Sequence, residues 1–134
     1  MGMSCEGFNF SSILVKDIMH KDLFSVNHNT PTFQIAKMME LEEVDAIFVK
    51  ENETPMGIIT DRDFVTKIAA NSLPPDTPVK EIMSSPLITI NHNEPISRAA
   101  EMMSSKKVKK LAVSENGKIV GLITSTDLIH QNTK

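Results

Sequence analysis

The sequence is poor in cysteine and in aromatic residues. It has one cysteine, Cys5, and neither tryptophan nor tyrosine among its 134 residues. A single cysteine excludes an intrachain disulfide bond and is compatible with a reducing compartment. Cys5 is interpreted as an unreactive thiol in a short N-terminal leader. Because phenylalanine is the only aromatic residue type, nine methionines and the aliphatic residues must fill much of the core.

Long apolar runs are also missing. No stretch approaches the roughly 20 apolar residues that a membrane-spanning helix requires, and the N-terminus lacks the apolar segment of a signal peptide. We therefore expect a cytoplasmic protein with no membrane partner. The net charge of −3 gives no general attraction to nucleic acids, so nucleic-acid binding is a minor alternative.

The usual signatures of enzymes and metal sites are missing as well. The chain contains no G-x-S-x-G, no H-E-x-x-H and no phosphate-binding loop, which predicts that it is not an enzyme and has no catalytic residues. Its four histidines form no H-x₃-H pair, and C-x₂-C is absent, so no metal site is predicted. His28 and His92, each between two asparagines, are interpreted as polar turn residues.

The chain repeats itself. A shift of 64 residues aligns residues 15–65 with residues 79–129 without a gap, and 20 of the 51 pairs are identical. VKDIM falls on VKEIM, NHNTP on NHNEP, and GIITDRD on GLITSTD. Such a match indicates a duplicated structural unit. We predict a leader over residues 1–12, one unit over 13–70, a proline-containing linker over 71–78, and a second unit over 79–131.

Each copy predicts the element order β-α-β-β-α and so an α+β (α/β) fold. A short amphipathic turn with Val15, Ile18 and Met19 precedes an extended piece at 23–26, and a helix follows Pro31, which suits a first helical turn. Thr30 or Asn29 is expected to cap that helix. Strands are predicted over 46–49 and 56–60, and over 111–113 and 119–124, with final helices from Asp61 and Ser125. The apolar helix faces are predicted to contain Ile35, Ala36, Met38 and Met39, and Ile96, Ala99, Ala100 and Met103.

A unit of about 50 residues buries too little apolar surface to be secure alone. We therefore expect the two units to pack about a pseudo-two-fold axis and to form two related clefts.

The most specific chemical signal is a threonine followed three residues later by an aspartate, as Thr60 and Asp63 and again as Thr124 and Asp127. Each threonine ends a predicted strand, and each aspartate lies in the first turn of the next helix. One interpretation is helix capping, with the carboxylate favourable to the helix dipole. The other is ligand binding, because an ionised carboxylate can accept hydrogen bonds from both hydroxyls of a ribose.

The duplicated unit, with its Ile-Met turn at the start and Gly-apolar-Ile-Thr-x-x-Asp near the end, resembles a tandem pair of cystathionine β-synthase (CBS) domains, the Bateman module. The resemblance covers about residues 13–131. It implies a regulatory module that binds AMP, ADP, ATP, S-adenosylmethionine or a related adenosyl compound in the clefts and requires no cofactor. It also implies a homodimer. With no effector domain in the sequence, the module is expected to act in trans on an unidentified partner protein.

Carried over by position, the family pattern assigns two sets of ligand-binding residues. The first cleft is expected to use Ile58, Thr60, Arg62 and Asp63, with Met83, Pro86, Ile88, Val108, Lys109 and Lys110. The second is expected to use Leu122, Thr124, Thr126 and Asp127, with Met19, Asp22, Phe24, Val44, Asp45 and Ala46.

The two predicted clefts differ in charge. Arg62, Lys109 and Lys110 suit the first cleft to a phosphate, whereas Asp22 and Asp45 in the second would repel one. The Asp63 cleft is therefore predicted to be the stronger nucleotide site. The alternative to a ligand sensor is an interaction or oligomerisation module whose clefts bind no ligand.

Overall fold

The chain folds into short helices and two small mixed sheets. The computed structural model describes residues 13–132. The elements are α1 (Val15–Ile18), β1 (Ser25–Asn27), α2 (Thr32–Glu42), β2 (Ala46–Glu51), β3 (Thr54–Thr60), α3 (Asp61–Asp63), β4 (Thr89–Asn91), α4 (Ile96–Lys106), β5 (Lys110–Glu115), β6 (Lys118–Thr124) and α5 (Ser125–Asn132). A π-helical segment, Phe64–Ala69, continues α3, and a 3₁₀ turn, Val79–Glu81, precedes β4.

The two sheets have the same topology. In each, the first strand pairs with the second in parallel, and the second pairs with the third in antiparallel register. The parallel pair is connected by a helix, as a parallel connection requires, and the antiparallel pair is connected by a tight turn. The predicted β-α-β-β-α order of each unit is therefore confirmed.

The compact units of the fold do not coincide with the two copies of the repeat. One unit contains residues 23–87, and the other contains the described residues up to Asp22 together with those from Ile88 onward. The segment that opens each copy, which we call the start segment (residues 13–22 and 77–86), therefore packs in the unit that contains the strands of the other copy.

Backbone hydrogen bonds hold each start segment on an Asn-His-Asn turn. In the 23–87 unit, the N–H groups of Val79 and Lys80 donate to the carbonyls of Thr30 (2.9 Å) and His28 (3.1 Å). In the other unit, the equivalent donors, from Val15 and Lys16, reach Glu94 (2.8 Å) and His92 (3.0 Å). Because these bonds use main-chain atoms, the repeated sequence produces the same docking twice.

The start segments also complete the two cores. Val79 is fully buried and Ile82 nearly so, among Ile35, Ile47 and Ile59. Val15 is fully buried in the second core, which contains the buried residues Ile90, Ile96, Ala99, Met102, Met103, Leu111, Val113, Ile123 and Leu128. A fully buried valine contributes about 1.5–3 kcal/mol relative to an exposed one, so each unit depends on its start segment.

The helix that follows the turn is capped differently from the prediction. Thr30 and Asn29 do not cap α2: Pro31 occupies the N-cap position and provides no side-chain hydrogen bond. Instead, the first N–H groups of the helix, from Thr32 and Phe33, donate to the carbonyls of Thr77 and Pro75, each at 2.9 Å. The proline-containing linker therefore satisfies donors that a helix end otherwise leaves unpaired.

The predicted apolar face of the first long helix was partly wrong. Ile35 is fully buried in α2, but Ala36 is exposed, and Met38 and Met39 are half-buried. In α4 the face matches the prediction more closely, because Ala99 and Met103 are buried.

Glycine stands at the same position in both copies because a start segment lies very close to it. A β-carbon placed on Gly57 would lie 2.7 Å from Met83 Sδ and 2.8 Å from the carbonyl oxygen of Ser84. At Gly121 the same atom would lie 2.5 Å from Met19 Sδ and 3.1 Å from the carbonyl of His20. Glycine is therefore needed for space at both positions.

Gly57→Ala is expected to destabilise the protein more than Gly121→Ala. A flexible methionine side chain is nearest at both positions, but the backbone oxygen, which cannot move aside easily, is closer at Gly57 (2.8 Å) than at Gly121 (3.1 Å). Overpacking of this kind costs about 1–3 kcal/mol. Urea denaturation of both variants would measure the difference, and equal losses would show that the Ser84 carbonyl is not the deciding obstacle.

Candidate functional site

The first Thr-x-x-Asp motif forms a compact capping arrangement at the end of β3. The backbone N–H of Thr60 donates to Asp63 Oδ2 at 2.9 Å, and the Thr60 hydroxyl lies 3.4 Å from the same oxygen. Asp63 is buried, with 6% of its surface exposed. The sequence folds this way because the strand ends where the helix begins, so that the carboxylate in the first turn can reach back to the last strand residue.

The second motif repeats the arrangement at the end of β6. The backbone N–H of Thr124 donates to Asp127 Oδ2 at 2.8 Å, and the N–H of Asp127 donates to the Thr124 hydroxyl at 3.3 Å. The capping interpretation is therefore correct for both motifs. It uses Oδ2 of each carboxylate and leaves Oδ1 available for another role.

The two Oδ1 atoms have different partners. Asp63 Oδ1 lies 3.1 Å from Nζ of Lys67, and that nitrogen also donates to the carbonyl of Ile82 at 2.8 Å. Asp127 Oδ1 lies 2.8 Å from Nε2 of His20. The sequence analysis missed both partners, because it considered only positions that are identical in the two copies. A difference between the copies marks each of them: the 64-residue shift pairs His20 with Ser84 and Lys67 with Gln131.

Each motif is also fixed by the residues before the central strand of its own unit. The N–H of Asp61 donates to the carbonyl of Asp45 at 3.2 Å, and the N–H of Ser125 donates to that of Lys109 at 2.9 Å. Ala46 pairs with Thr60 and Lys110 with Thr124 in the strand register. Within a unit, acidic Asp45 therefore lies beside the Thr60 motif and basic Lys109 beside the Thr124 motif.

The start segments add a short edge to each sheet beside the motif. Ile58 and Ser84 exchange two backbone hydrogen bonds, of 3.0 and 2.9 Å. Leu122 and His20 form the equivalent bridge, with bonds of 3.0 and 2.8 Å. This bridge places the side chain of His20 against Asp127.

The predicted site residues divide equally between the units. The 23–87 unit contains Phe24, Val44, Asp45, Ala46, Ile58, Thr60, Arg62, Asp63, Met83 and Pro86. The other unit contains Met19, Asp22, Ile88, Val108, Lys109, Lys110, Leu122, Thr124, Thr126 and Asp127. Only Asp63 among these residues is buried; the others are at least partly exposed. The grouping of residues from different units in one cleft stays a prediction.

Each of the two Asn-His-Asn turns is closed by a hydrogen bond from its own backbone to its first asparagine side chain. Asn27 Oδ1 accepts the N–H of Asn29 at 3.0 Å, and Asn91 Oδ1 accepts that of Asn93 at 2.9 Å. Each histidine lies near one glutamate, His28 3.8 Å from Glu51 and His92 3.9 Å from Glu115. Within residues 13–132, no three or more His, Cys, Asp or Glu side chains are placed to hold a metal ion.

Replacing His28 and His92 together with alanine is expected to leave adenosyl-ligand binding unchanged. The docking bonds of these turns come from backbone carbonyls, which alanine keeps, and the histidine–glutamate pairs contribute at most about 1 kcal/mol each. Isothermal titration of the double variant with AMP would check this result. A large loss of affinity would revive a binding role for the histidines.

Across the part of the chain that the structure describes, no helix has the length and apolarity needed to cross a membrane.

Comparison with known proteins gives a consistent assignment. The CBS domain family matches the chain twice, over residues 15–70 and 79–132. An uncharacterized protein from Methanopyrus kandleri, MK0525, is 31% identical over 121 residues, which cover 88% of this chain. The chain spans 62% of the length of that curated relative.

Two solved structures are similar throughout. An uncharacterized conserved protein from Pyrococcus horikoshii has a TM-score of 0.86 and 29% identity, over 92% of this chain and 95% of that one. The CBS domain pair of protein MJ0100, solved with 5′-methylthioadenosine and S-adenosylmethionine, has a TM-score of 0.79 and 27% identity, over 90% and 98% of the two chains. With the duplicated fold and motifs described above, these matches show that the chain belongs to the CBS-domain family and forms a tandem CBS pair, a regulatory module.

Proposed function

We propose that the chain senses an adenine nucleotide or another adenosyl compound at its two Thr-x-x-Asp motifs and acts in trans on a partner protein. AMP, ADP, ATP and S-adenosylmethionine are the candidate ligands. Binding and release of the ligand, rather than catalysis, would carry the function. A ligand can change the activity of a partner only if it binds two states of the module with different affinities.

The observation that carries the proposal is that each carboxylate uses only one of its two oxygens for helix capping. Oδ2 of Asp63 and of Asp127 accepts the backbone N–H of its threonine, at 2.9 and 2.8 Å. Helix capping does not need Oδ1, so this oxygen can accept a ribose hydroxyl, and an ionised carboxylate is a strong acceptor. The same arrangement occurs in both units, which supports two sites of one chemical type.

The similarity to the MJ0100 CBS pair supports the ligand class. That protein was solved with two compounds that both contain an adenosine group. A ribose diol and an adenine are therefore the shared chemistry that we extend to this chain.

We also propose that the Asp63 site binds phosphorylated ligands more strongly than the Asp127 site. Asp45 beside the first motif and Lys109 beside the second oppose this ranking, but Arg62 is exposed next to Asp63, and Lys67 adds a second cation held by two contacts. A guanidinium and an ammonium group attract phosphate oxygens, which favours a phosphorylated ligand at this motif. Two equal affinities for AMP would contradict this ranking.

A thermal-shift screen tests the proposal directly. The chain would be heated with adenosine, AMP, ADP, ATP and S-adenosylmethionine, each over a concentration series. A ligand at 100 times its Kd stabilises the folded state by about 2.7 kcal/mol, so the Tm should rise by several degrees and keep rising with concentration. Absence of a shift with every adenosyl compound would contradict ligand sensing.

A second candidate function is an interaction or oligomerisation module that binds no ligand. Val65 and Ile129 occupy equivalent positions in the two copies and are 66% and 59% exposed. A helix-mediated contact with a second copy of the chain would bury both side chains. Analytical ultracentrifugation of a Val65→Ser and Ile129→Ser double variant would test a homodimer. Nucleic-acid binding is the weakest alternative and would show a steep dependence of affinity on salt.

A further inference from the structure

The two motifs differ most at the atom that the ligand is proposed to use. Asp127 Oδ1 is in contact with the imidazole of His20, a residue of the start segment. The equivalent residue in the other unit is Ser84, which forms the same backbone bridge, to Ile58. The imidazole is therefore an addition to one motif and is not required for docking the start segment.

The contact between His20 and Asp127 is short but not enclosed. The two atoms are 2.8 Å apart, and the side chains are 57% and 14% exposed, respectively. An ionised carboxylate has no proton to donate, so the imidazole Nε2–H donates to Oδ1. Because the ring is more than half exposed, it can turn into solvent while its backbone bridge to Leu122 remains.

We infer that His20 competes with the ligand for Asp127 Oδ1 and thereby makes the Asp127 site the weaker of the two for any ligand that binds through a ribose diol. This inference rests on the proposed function. A hydroxyl that approaches Oδ1 from the side that the imidazole occupies must replace a hydrogen bond that the free protein already makes. His20 is thus a specificity-determining residue that acts through Asp127.

At the other motif, Oδ1 of Asp63 contacts Lys67, which differs from His20 in how it is held. Its Nζ contacts Asp63 Oδ1 at 3.1 Å and donates to the carbonyl of Ile82 at 2.8 Å. The second contact holds the ammonium group within the unit independently of any ligand. Lys67 is therefore a fixed counter-charge, whereas His20 is a displaceable group.

The test uses the residue that the other copy supplies. In the full chain carrying Asp63→Asn, which isolates the Asp127 site, His20→Ser would be titrated with adenosine by calorimetry. A partly exposed contact between a histidine and a carboxylate is worth little, so the affinity for adenosine should increase about threefold to fivefold. The affinity for 2′,3′-dideoxyadenosine, which lacks both hydroxyls, should not change. An unchanged or weaker affinity for adenosine, or an equal gain for both compounds, would overturn the inference.

Two controls separate this effect from a change in folding. His28→Ser in the same background removes another histidine–carboxylate pair, to Glu51, and should not change the Kd for adenosine. His20→Ala should reproduce the gain if His20→Ser lowers the Tm. Failure of the Asp63→Asn chain to bind adenosine both with and without His20→Ser overturns the competition. Failure of the unsubstituted chain to bind any adenosyl compound overturns the proposed function itself.

Discussion

Replacing Val15 with aspartate is expected to destabilise residues 88–132 more than residues 23–70, although Val15 opens the first copy of the repeat. Val15 is fully buried in the core that contains Ile96 and Leu111. Burial of an unpaired carboxylate there costs several kcal/mol, a large part of the 5–15 kcal/mol that stabilises a typical domain. Hydrogen–deuterium exchange followed by peptide mass spectrometry would locate the loss of protection.

Val79→Asp is the matched control, because Val79 occupies the equivalent position and is also fully buried. It should destabilise residues 23–70, whose core includes Ile35 and Ile59, more than residues 88–132. Each variant thus loses protection in the unit that contains the strands of the other copy. Loss of protection confined to the strands of the same copy would contradict the exchange of start segments.

Asp63→Asn and Asp127→Asn are expected to abolish most adenosyl binding at their own motif while keeping the fold. The asparagine oxygen can still accept the N–H of Thr60 or Thr124, but its amide group then replaces the acceptor at the Oδ1 position. Loss of a hydrogen bond to a charged group costs about 1.5–3 kcal/mol, which corresponds to roughly a tenfold to 100-fold loss of affinity. Titration with AMP and with S-adenosylmethionine would measure the effect at each site.

The alanine variants separate the two roles of these aspartates. Asp63→Ala and Asp127→Ala remove the capping oxygen as well, which costs about 1 kcal/mol of stability. The Tm should therefore fall more for alanine than for asparagine, while both substitutions weaken binding. If asparagine keeps wild-type affinity, the carboxylates are caps only and the ligand contacts lie elsewhere.

The order of helices and strands could be predicted because it depends on local patterns. Alternating or continuous apolar residues marked β2, β3, β5 and β6, and the Asn-Gly pair at 116–117 marked the turn between the last two. The observed strands extend beyond the predicted ones by up to three residues, since Lys110 and Lys118 pair in the sheet despite their polar side chains.

The packing of the start segments could not be predicted from local patterns. Val15 and Val79 have nearly the same neighbours in sequence, VKDIM and VKEIM, which differ only by Asp17 and Glu81. Their amphipathic pattern indicates that one face is buried but not which copy buries it. For the same reason, Thr77 and Pro75 could not be identified as the groups that cap α2, because their sequence distance from Thr32 gives no information about their position.

The candidate site was predictable only as far as the copies agree. Thr60, Asp63, Thr124 and Asp127 are identical in the alignment, and the structure places each pair in hydrogen-bond contact. His20 and Lys67 differ from their counterparts in the other copy. The contact of His20 depends on the backbone bridge between the start segment and Leu122. The contact of Lys67 depends on one turn of the π-helical segment.

The exchange of start segments also sets an order for folding during synthesis. The 23–87 unit is continuous in sequence, so it can close as soon as Val79 and Ile82 have left the ribosome. The other unit is discontinuous, and Val15 must wait until residues 88–132 have been made. Closing the loop between Val15 and Glu94 costs more conformational entropy than closing the shorter loop between Thr30 and Val79. Nascent chains should therefore acquire protease resistance in residues 23–87 first, whereas Val15, which is synthesised before them, should be buried only after residues 88–132 have been made.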